Sequence, residues 1–411
     1  LTGAAHSLWL SIAVQGLLTA LVLWLILRSY HPARLLRQLI GIGLVLALVT
    51  SLPWFTSQAM PDFLTAIAVL SAFVLLMRWR ESEPAARVTA AALLVFACTV
   101  HYTNLLLTAG IVGLVLVWGS LRRDPDWLRT GVRGIVPLAA ACALVVSINF
   151  HQTGGEVFLT RGGHVFMLGR LIESSILQRL LADRCGRTRY LLCPYRSELR
   201  PSLEFFMFDP DSPIQKVGGL RMPKAESMQM VRDAVRYYPA AVVESSLLNS
   251  ARQFTTFNIG DGLRRYEEAD EPAPQRAYVT PVIRSMLPAQ YPQYVASRQQ
   301  QKTLGLGPVR LVDFAIAWAA IVASAAVILT AVRAWRREDF ELVLPATDLH
   351  VFVWLAAAVN AVVCASFTTV TDRFQARVVW LFVFVCLVTL AQLQRTSSGR
   401  RTVTSSGTAD G

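Results

Sequence analysis

Charge is scarce in this sequence. Only 16% of its 411 residues are Asp, Glu, Lys or Arg, against about 25% in an ordinary soluble domain. With 54% hydrophobic residues and a mean hydropathy of +0.45, that deficit excludes a water-soluble globule and points to lipid. Lysine is scarcer still: Lys216, Lys224 and Lys302 are three of 39 basic residues. The net charge of +12 does not mark a nucleic-acid binder, because few of the basic residues fall inside apolar runs and most outside the central segment flank a run end. Also missing are a GxxxxGK[ST] phosphate loop, an HExxH zinc helix, a GxSxG nucleophile elbow and any internal repeat. Chemistry on a soluble cofactor therefore has no support in the sequence.

What the sequence has is apolar length. Runs able to cross a bilayer, roughly 17 to 25 residues each, occur nine times: 8–27, 38–55, 62–78, 88–105, 106–121, 132–150, 311–332, 349–368 and 376–394. Runs this long do not fit the alternating ten-residue strands of a membrane barrel. The fold class read from them is all-α, a polytopic transmembrane bundle of about nine spans. Residues 1–150 hold the first six spans and 309–394 the last three, with 395–411 a disordered tail. The heavy use of Arg and Ala suggests a GC-rich bacterial genome, which places the chain in an inner membrane.

Arginine sets the sidedness. Alternate connections hold Arg28, Arg34 and Arg37; Arg78, Arg80 and Arg87; Arg122, Arg123, Arg129 and Arg133; Arg333, Arg336 and Arg337; and Arg395, Arg400 and Arg401. The short connections of the opposite side hold only Arg373 and Arg377. By the positive-inside rule the C-terminus is cytoplasmic. Nine spans then leave the N-terminus outside, and the start "LTGAAHSLWL" has no positive n-region, so the expectation is a truncated start with at least one preceding helix.

The segment 151–308 is polar, with 20 Lys+Arg against 15 Asp+Glu, and falls on the extracytoplasmic (periplasmic) side. Apolar residues recur at helical spacing over 164–183 and 226–257, with Pro239 starting a second helix. The stretch "FFMFDPDSPIQKVGGLRMP" reads as loop. The expectation is a mostly helical extracytoplasmic module between spans six and seven. Cys98, Cys142, Cys364 and Cys386 lie in spans as small core residues, whereas Cys185 and Cys193 stand eight apart in the module. A metal site would need further ligands nearby, and no Cys or His stands close, so a disulfide fits better. Closing that loop contributes roughly 2–3 kcal/mol in the chain-entropy model.

At the outer level of the spans lie Asp62, His101, Tyr102, Asn104, Asn149, His151, Asp372, Arg373 and Arg377. Arg373 and Arg377 share a helix face at i and i+4. Two guanidiniums there suit a phosphate or diphosphate, which arginine binds bidentately; lipid headgroups or a salt bridge with Asp372 would use them equally. Asp62 follows Pro61, a favourable first helical residue. A carboxylate in a first turn gains about 0.3–1 kcal/mol from the helix dipole, which by itself accounts for "MPDF". His101 and Asn104 are either neighbours in a site or interfacial caps.

"QAMPDFLTAI" and "DRFQARVVW" resemble short motifs of the GT-C class of multi-spanning glycosyltransferases, in particular bacterial proteins like the dolichyl-phosphate-mannose–protein mannosyltransferases. The resemblance covers residues 50–150 and 311–394; the chain is similar also to an uncharacterised bacterial membrane protein family related to them. It implies transfer of a sugar from a polyprenyl-phosphate donor on the extracytoplasmic face, with inversion. Asp62 matches the acidic motif and would orient the sugar, the acceptor or a divalent metal ion. His101, Asn104 and Asp372 would line the substrate site, and Arg373 and Arg377 would offset charge on the leaving phosphate. The chain departs from the class in two ways: no acidic residue of a first outer loop is present, and the module carries no family motif. The rival class is a non-enzymatic envelope protein, a transporter, flippase or scaffold, whose outer module binds a partner.

Overall fold

The computed structural model describes residues 7–30, 34–156, 158–160, 162–263, 275–339 and 343–405. Every regular element among them is helical. In chain order they are α1 (Leu8–Tyr30), α2 (Leu35–Val49), α3 (Leu52–Thr56), α4 (Phe63–Met77), α5 (Pro84–Val100), α6 (Tyr102–Leu121) and α7 (Trp127–Thr153). Then come α8 (Gly163–Glu173), α9 (Ile176–Arg184), α10 (Leu203–Phe208), α11 (Pro213–Lys216), α12 (Lys224–Tyr237), α13 (Pro239–Thr255), α14 (Gln275–Met286) and α15 (Tyr291–Val295). The last three are α16 (Gly307–Arg336), α17 (Thr347–Phe367) and α18 (Asp372–Ser405).

Nine of these helices fall on the nine apolar runs, but only six are long and apolar enough to cross a membrane: α1, α6, α7, α16, α17 and, over Asp372–Gln394, α18. The structure thus gives six candidate spans, and α2, α4 and α5 are shorter apolar helices. Helices α2 and α4 have 15 residues each and α5 has 17. At about 1.5 Å per residue, 15 residues rise only ~22 Å, short of a hydrocarbon core of about 30 Å. The run 38–55 is cut because Thr50 turns extended (φ −130°, ψ 171°) before Pro53 opens α3. The fourth and fifth runs divide at His101 rather than at 105/106. Helix α18 continues through residues expected in the tail as far as Ser405, while 406–411 lie outside the described residues.

The chain splits into two compact units. One comprises Leu1–Leu10, Val145–Gly305 and Asn360–Gln375; the other comprises Ser11–Leu144, Leu306–Val359 and Ala376–Gly411. The second unit is the apolar one. Its helix α4 is buried at every position from Leu64 to Leu76, so it is surrounded by protein rather than lipid. Helix α7 approaches α6 and α4 closely through glycine: a Cβ on Gly131 would meet Leu116 at 2.4 Å, and one on Gly134 would meet Val112 at 2.5 Å and Leu76 at 3.1 Å. Small residues at such spacing let apolar helices pack backbone to backbone. At one end of this unit Asp348 accepts from Tyr30 (2.7 Å) and Arg78 (3.5 Å), tying α1, α4 and α17. Within the helices, His350 bridges Ser324 (2.7 Å) and Thr389 (2.9 Å), and Trp354 donates to Ser324 at 3.1 Å. Those hydrogen bonds satisfy polar groups that would be costly in an apolar interior.

The first unit has its own core. Helices α8, α9, α10 and α12 bury Leu168, Ile172, Leu177, Leu180, Phe206, Met207 and Met230. The expected helix over 164–183 is two helices, because Ser175 takes a left-handed conformation (φ 58°) between α8 and α9. The break at Pro239 falls where the sequence places it, between α12 and α13. The segment read as loop instead holds α10, α11 and a 3-10 turn over Gly219–Arg221. Cys185 and Cys193 are joined in a disulfide with Cα atoms 5.7 Å apart.

Candidate functional site

Asp62 stands at the start of α4, after Pro61. It does not use its carboxylate to cap that helix. The carboxylate turns to α18 instead: Arg377 Nη1 donates to Asp62 Oδ1 at 2.8 Å. Asp62 is 4% and Arg377 1% exposed, and Arg377 is among the largest fully buried side chains of the chain. A buried ion pair costs desolvation on both partners and persists only where the geometry is good. Its location at the joint of two apolar helices therefore needs a reason beyond helix initiation.

His101 completes the cluster. Its Nε2 lies 3.1 Å from Arg377 Nη1 and 3.9 Å from Asp62 Oδ1. Because a guanidinium can only donate, Nε2 is the acceptor in the contact with Arg377. His101 reaches this place because the chain breaks between α5 and α6, with His101 extended at φ −133°, ψ 109°. Asn104 holds the break: its Nδ2 donates back to the Ala97 carbonyl at 3.1 Å. Asn104 thus supports His101 rather than joining Asp62 and Arg377. The three-residue cluster carries one negative and one positive charge, and the histidine is a polar neighbour to both.

The start of α18 is fixed from other sides as well. Trp380 Nε1 donates to the Arg377 carbonyl at 3.1 Å, and Ser51 Oγ donates to the Ala376 carbonyl at 2.8 Å. Asp313 on α16 is also buried, at 3% exposure. Sequence reasoning passed over both Ser51 and Asp313. Asp313 could have been found, since it is the acidic residue within the apolar run of α16, and ionisable residues in such runs are rare and tend to be functional. Ser51 carries no comparable sequence signal.

Asp372 and Arg373 belong to the first unit. Asp372 Oδ1 accepts from the Asn258 amide (2.9 Å) and Asn258 Nδ2 (3.1 Å). Arg373 stacks on Phe374 at 5.0 Å and forms no ion pair among the described residues, so the alternative of a salt bridge with Asp372 is not realised. Nearby in the same unit, Gln253 exchanges two hydrogen bonds with Thr371 (2.8 and 3.0 Å), and Thr369 donates to Glu173 at 2.6 Å. Asn149 Nδ2 donates to the Phe158 carbonyl at 2.8 Å, and His151 packs edge-on to Phe150. Among the described residues no group of three or more His, Cys, Asp or Glu is gathered to hold a metal ion.

Among the described residues, which are all-helical, six helices are long and apolar enough to cross a bilayer, and this suggests a membrane protein. Set against protein-family models, curated proteins and solved structures, the chain matches none.

Proposed function

We propose that the chain is a membrane glycosyltransferase that moves a sugar from a polyprenyl-phosphate donor, at the extracytoplasmic face of a bacterial inner membrane. The observation that carries the reading is the Asp62–Arg377–His101 cluster, which unites residues from three distant parts of the sequence at the ends of apolar helices. Arg377 supplies positive charge for a leaving lipid phosphate, and Asp62 orients the guanidinium by the 2.8 Å hydrogen bond. His101, accepting from the same guanidinium, orients it from a second side. The acceptor oxygen attacks the anomeric carbon as a carboxylate takes its O–H proton, the bond to the phosphate oxygen breaks with its electron pair staying on the phosphate, and the sugar inverts.

A second reading has its own support in the 1% exposure of Arg377: the pair is a structural latch between α4 and α18 in a non-enzymatic envelope protein. Charge reversal separates the two. Asp62→Arg combined with Arg377→Asp keeps a pair but moves the positive charge to the other helix. In proteoliposomes with polyprenyl-phosphate mannose, the double variant should keep the thermal stability of the parent and lose at least ~100-fold in release of polyprenyl phosphate. Equal release by parent and double variant supports the latch and sinks the enzyme reading.

A further inference from the structure

Helix α13 is amphipathic the wrong way round for the surface of a polar module. Its side chains Val243, Leu247 and Leu248 are 57%, 66% and 52% exposed, and Ala240 and Ala251 are exposed beside them. Their spacing of three, four and seven residues gathers them into one stripe along the helix. The polar side chains turn inward instead: Gln253 is fully buried, and Ser245 and Asn249 are half-buried. A surface helix ordinarily gives its apolar face to the core; in α13 Ala241 and Val242 do so near its start, and the stripe does not. Single exposed apolar residues are ordinary, but a continuous row of them marks a surface that something apolar covers.

Hydrogen bonds on the polar side fix where α13 lies. Gln253 holds Thr371 by its two hydrogen bonds, and Asn258, just past the helix, holds Asp372. Two turns earlier Ser245 accepts from Arg170 at 3.1 Å; Arg170 donates to Glu173 at 2.7 Å, and Glu173 accepts from Thr369. All of these residues belong to the first unit. Thr369, Thr371 and Asp372 form the connection between α17 and α18, where one candidate span ends at Phe367 and the next begins at Asp372. The helix with the outward apolar stripe is therefore fastened at two points to the turn between two candidate spans. We propose that α13 is an interfacial helix, its stripe of Val243, Leu247 and Leu248 resting at the headgroup–acyl boundary of the bilayer. This takes α17 and α18 as membrane spans and stands apart from the glycosyl-transfer reading. Glu244 and Arg252 are exposed on the same helix. A helix lying along the boundary keeps both at headgroup depth, and Arg252 can extend its stem over lipid with its charge in water.

Photocrosslinking tests this directly. The full chain carries p-benzoylphenylalanine at Val243, at Leu247 or, for comparison, at Ala225, which is exposed on α12. Each protein is reconstituted in vesicles of phosphatidylethanolamine and phosphatidylglycerol tritiated in the acyl chains, then irradiated. The probes at Val243 and Leu247 should take up at least ~10-fold more tritium than the probe at Ala225. Both stripe positions are exposed and are read separately, so a variant that fails to reconstitute leaves the other to decide. A crosslinked band of twice the chain mass without lipid label would give the stripe to a second copy and overturn the proposal. Tritium at Val243 and Leu247 no higher than at Ala225, with no crosslinked chain, would leave the stripe in water and overturn it as well. Release of polyprenyl phosphate enters none of these outcomes, so the transfer reading stands or falls separately.

Discussion

At the scale of single residues, Asp62 shows how two explanations of one aspartate part company. Helix-dipole energetics alone justify an acidic residue after Pro61, yet the carboxylate leaves its own helix terminus and pairs with Arg377. Tyr190 in the polar module gives a simpler case with a measurable consequence. Its hydroxyl donates to Asp233 at 2.8 Å, and burial together with that carboxylate pushes its ionisation up to about 12. A phenol whose folded-state value exceeds its unfolded value favours folding below the unfolded value of about 10 and loses that contribution as pH rises towards 12. Alkaline titration of phenolate absorbance should show one tyrosine ionising near 12 that is gone in Tyr190→Phe. The unfolding midpoint of Tyr190→Phe should fall less steeply above about pH 10 than that of the parent. Identical titration curves for the two proteins would refute the assignment.

At the scale of elements, the breaks matter more than the helices. The interruption at Thr50–Ser51 supplies the hydroxyl that meets the Ala376 carbonyl, and the one at His101 delivers the imidazole to Arg377. Irregular backbone at helix ends frees polar groups that a continuous helix would consume. Close helix packing is the counterpart. Gly134 leaves no room for a methyl group beside Val112 and Leu76, whereas Gly113 has nothing within 4 Å of its added Cβ. Gly134→Ala should destabilise by about 1–3 kcal/mol through overpacking, while Gly113→Ala should be neutral or stabilising by up to ~1 kcal/mol. Thermal unfolding in detergent measures both, and equal midpoints for the two variants would show that α7 does not depend on this contact.

At the scale of the whole molecule, the arginine alternation leads us to expect residues 151–308, and separately the residues around His101, on the extracytoplasmic side. Ala225→Cys, exposed on α12, should react with an impermeant maleimide on intact cells, and Ala85→Cys, exposed at the start of α5, only after lysis. The reverse pattern would invert the topology and remove the extracytoplasmic assignment of the site.

Some of this was determined by the sequence alone. Low charge and long apolar runs point to an all-helical membrane protein, because backbone polar groups in lipid must be satisfied within a helix. Cysteine placement gave the disulfide, and position at the outer run ends gave Asp62, His101 and Arg377 as candidates. The tertiary structure decided the rest. Helix length turned nine runs into six candidate spans, since a run of apolar letters does not record where backbone turns extended. Pairing was equally invisible: Asp62 and Arg377 are 315 positions apart, and nothing local distinguishes an aspartate that caps a helix from one that crosses to another. Arg373 was grouped with Arg377 by spacing, yet its neighbour Asp372 turns to Asn258 and Arg373 to Phe374. The burial of Asp313 was equally invisible in the sequence, because what surrounds a buried carboxylate comes from distant parts of the chain.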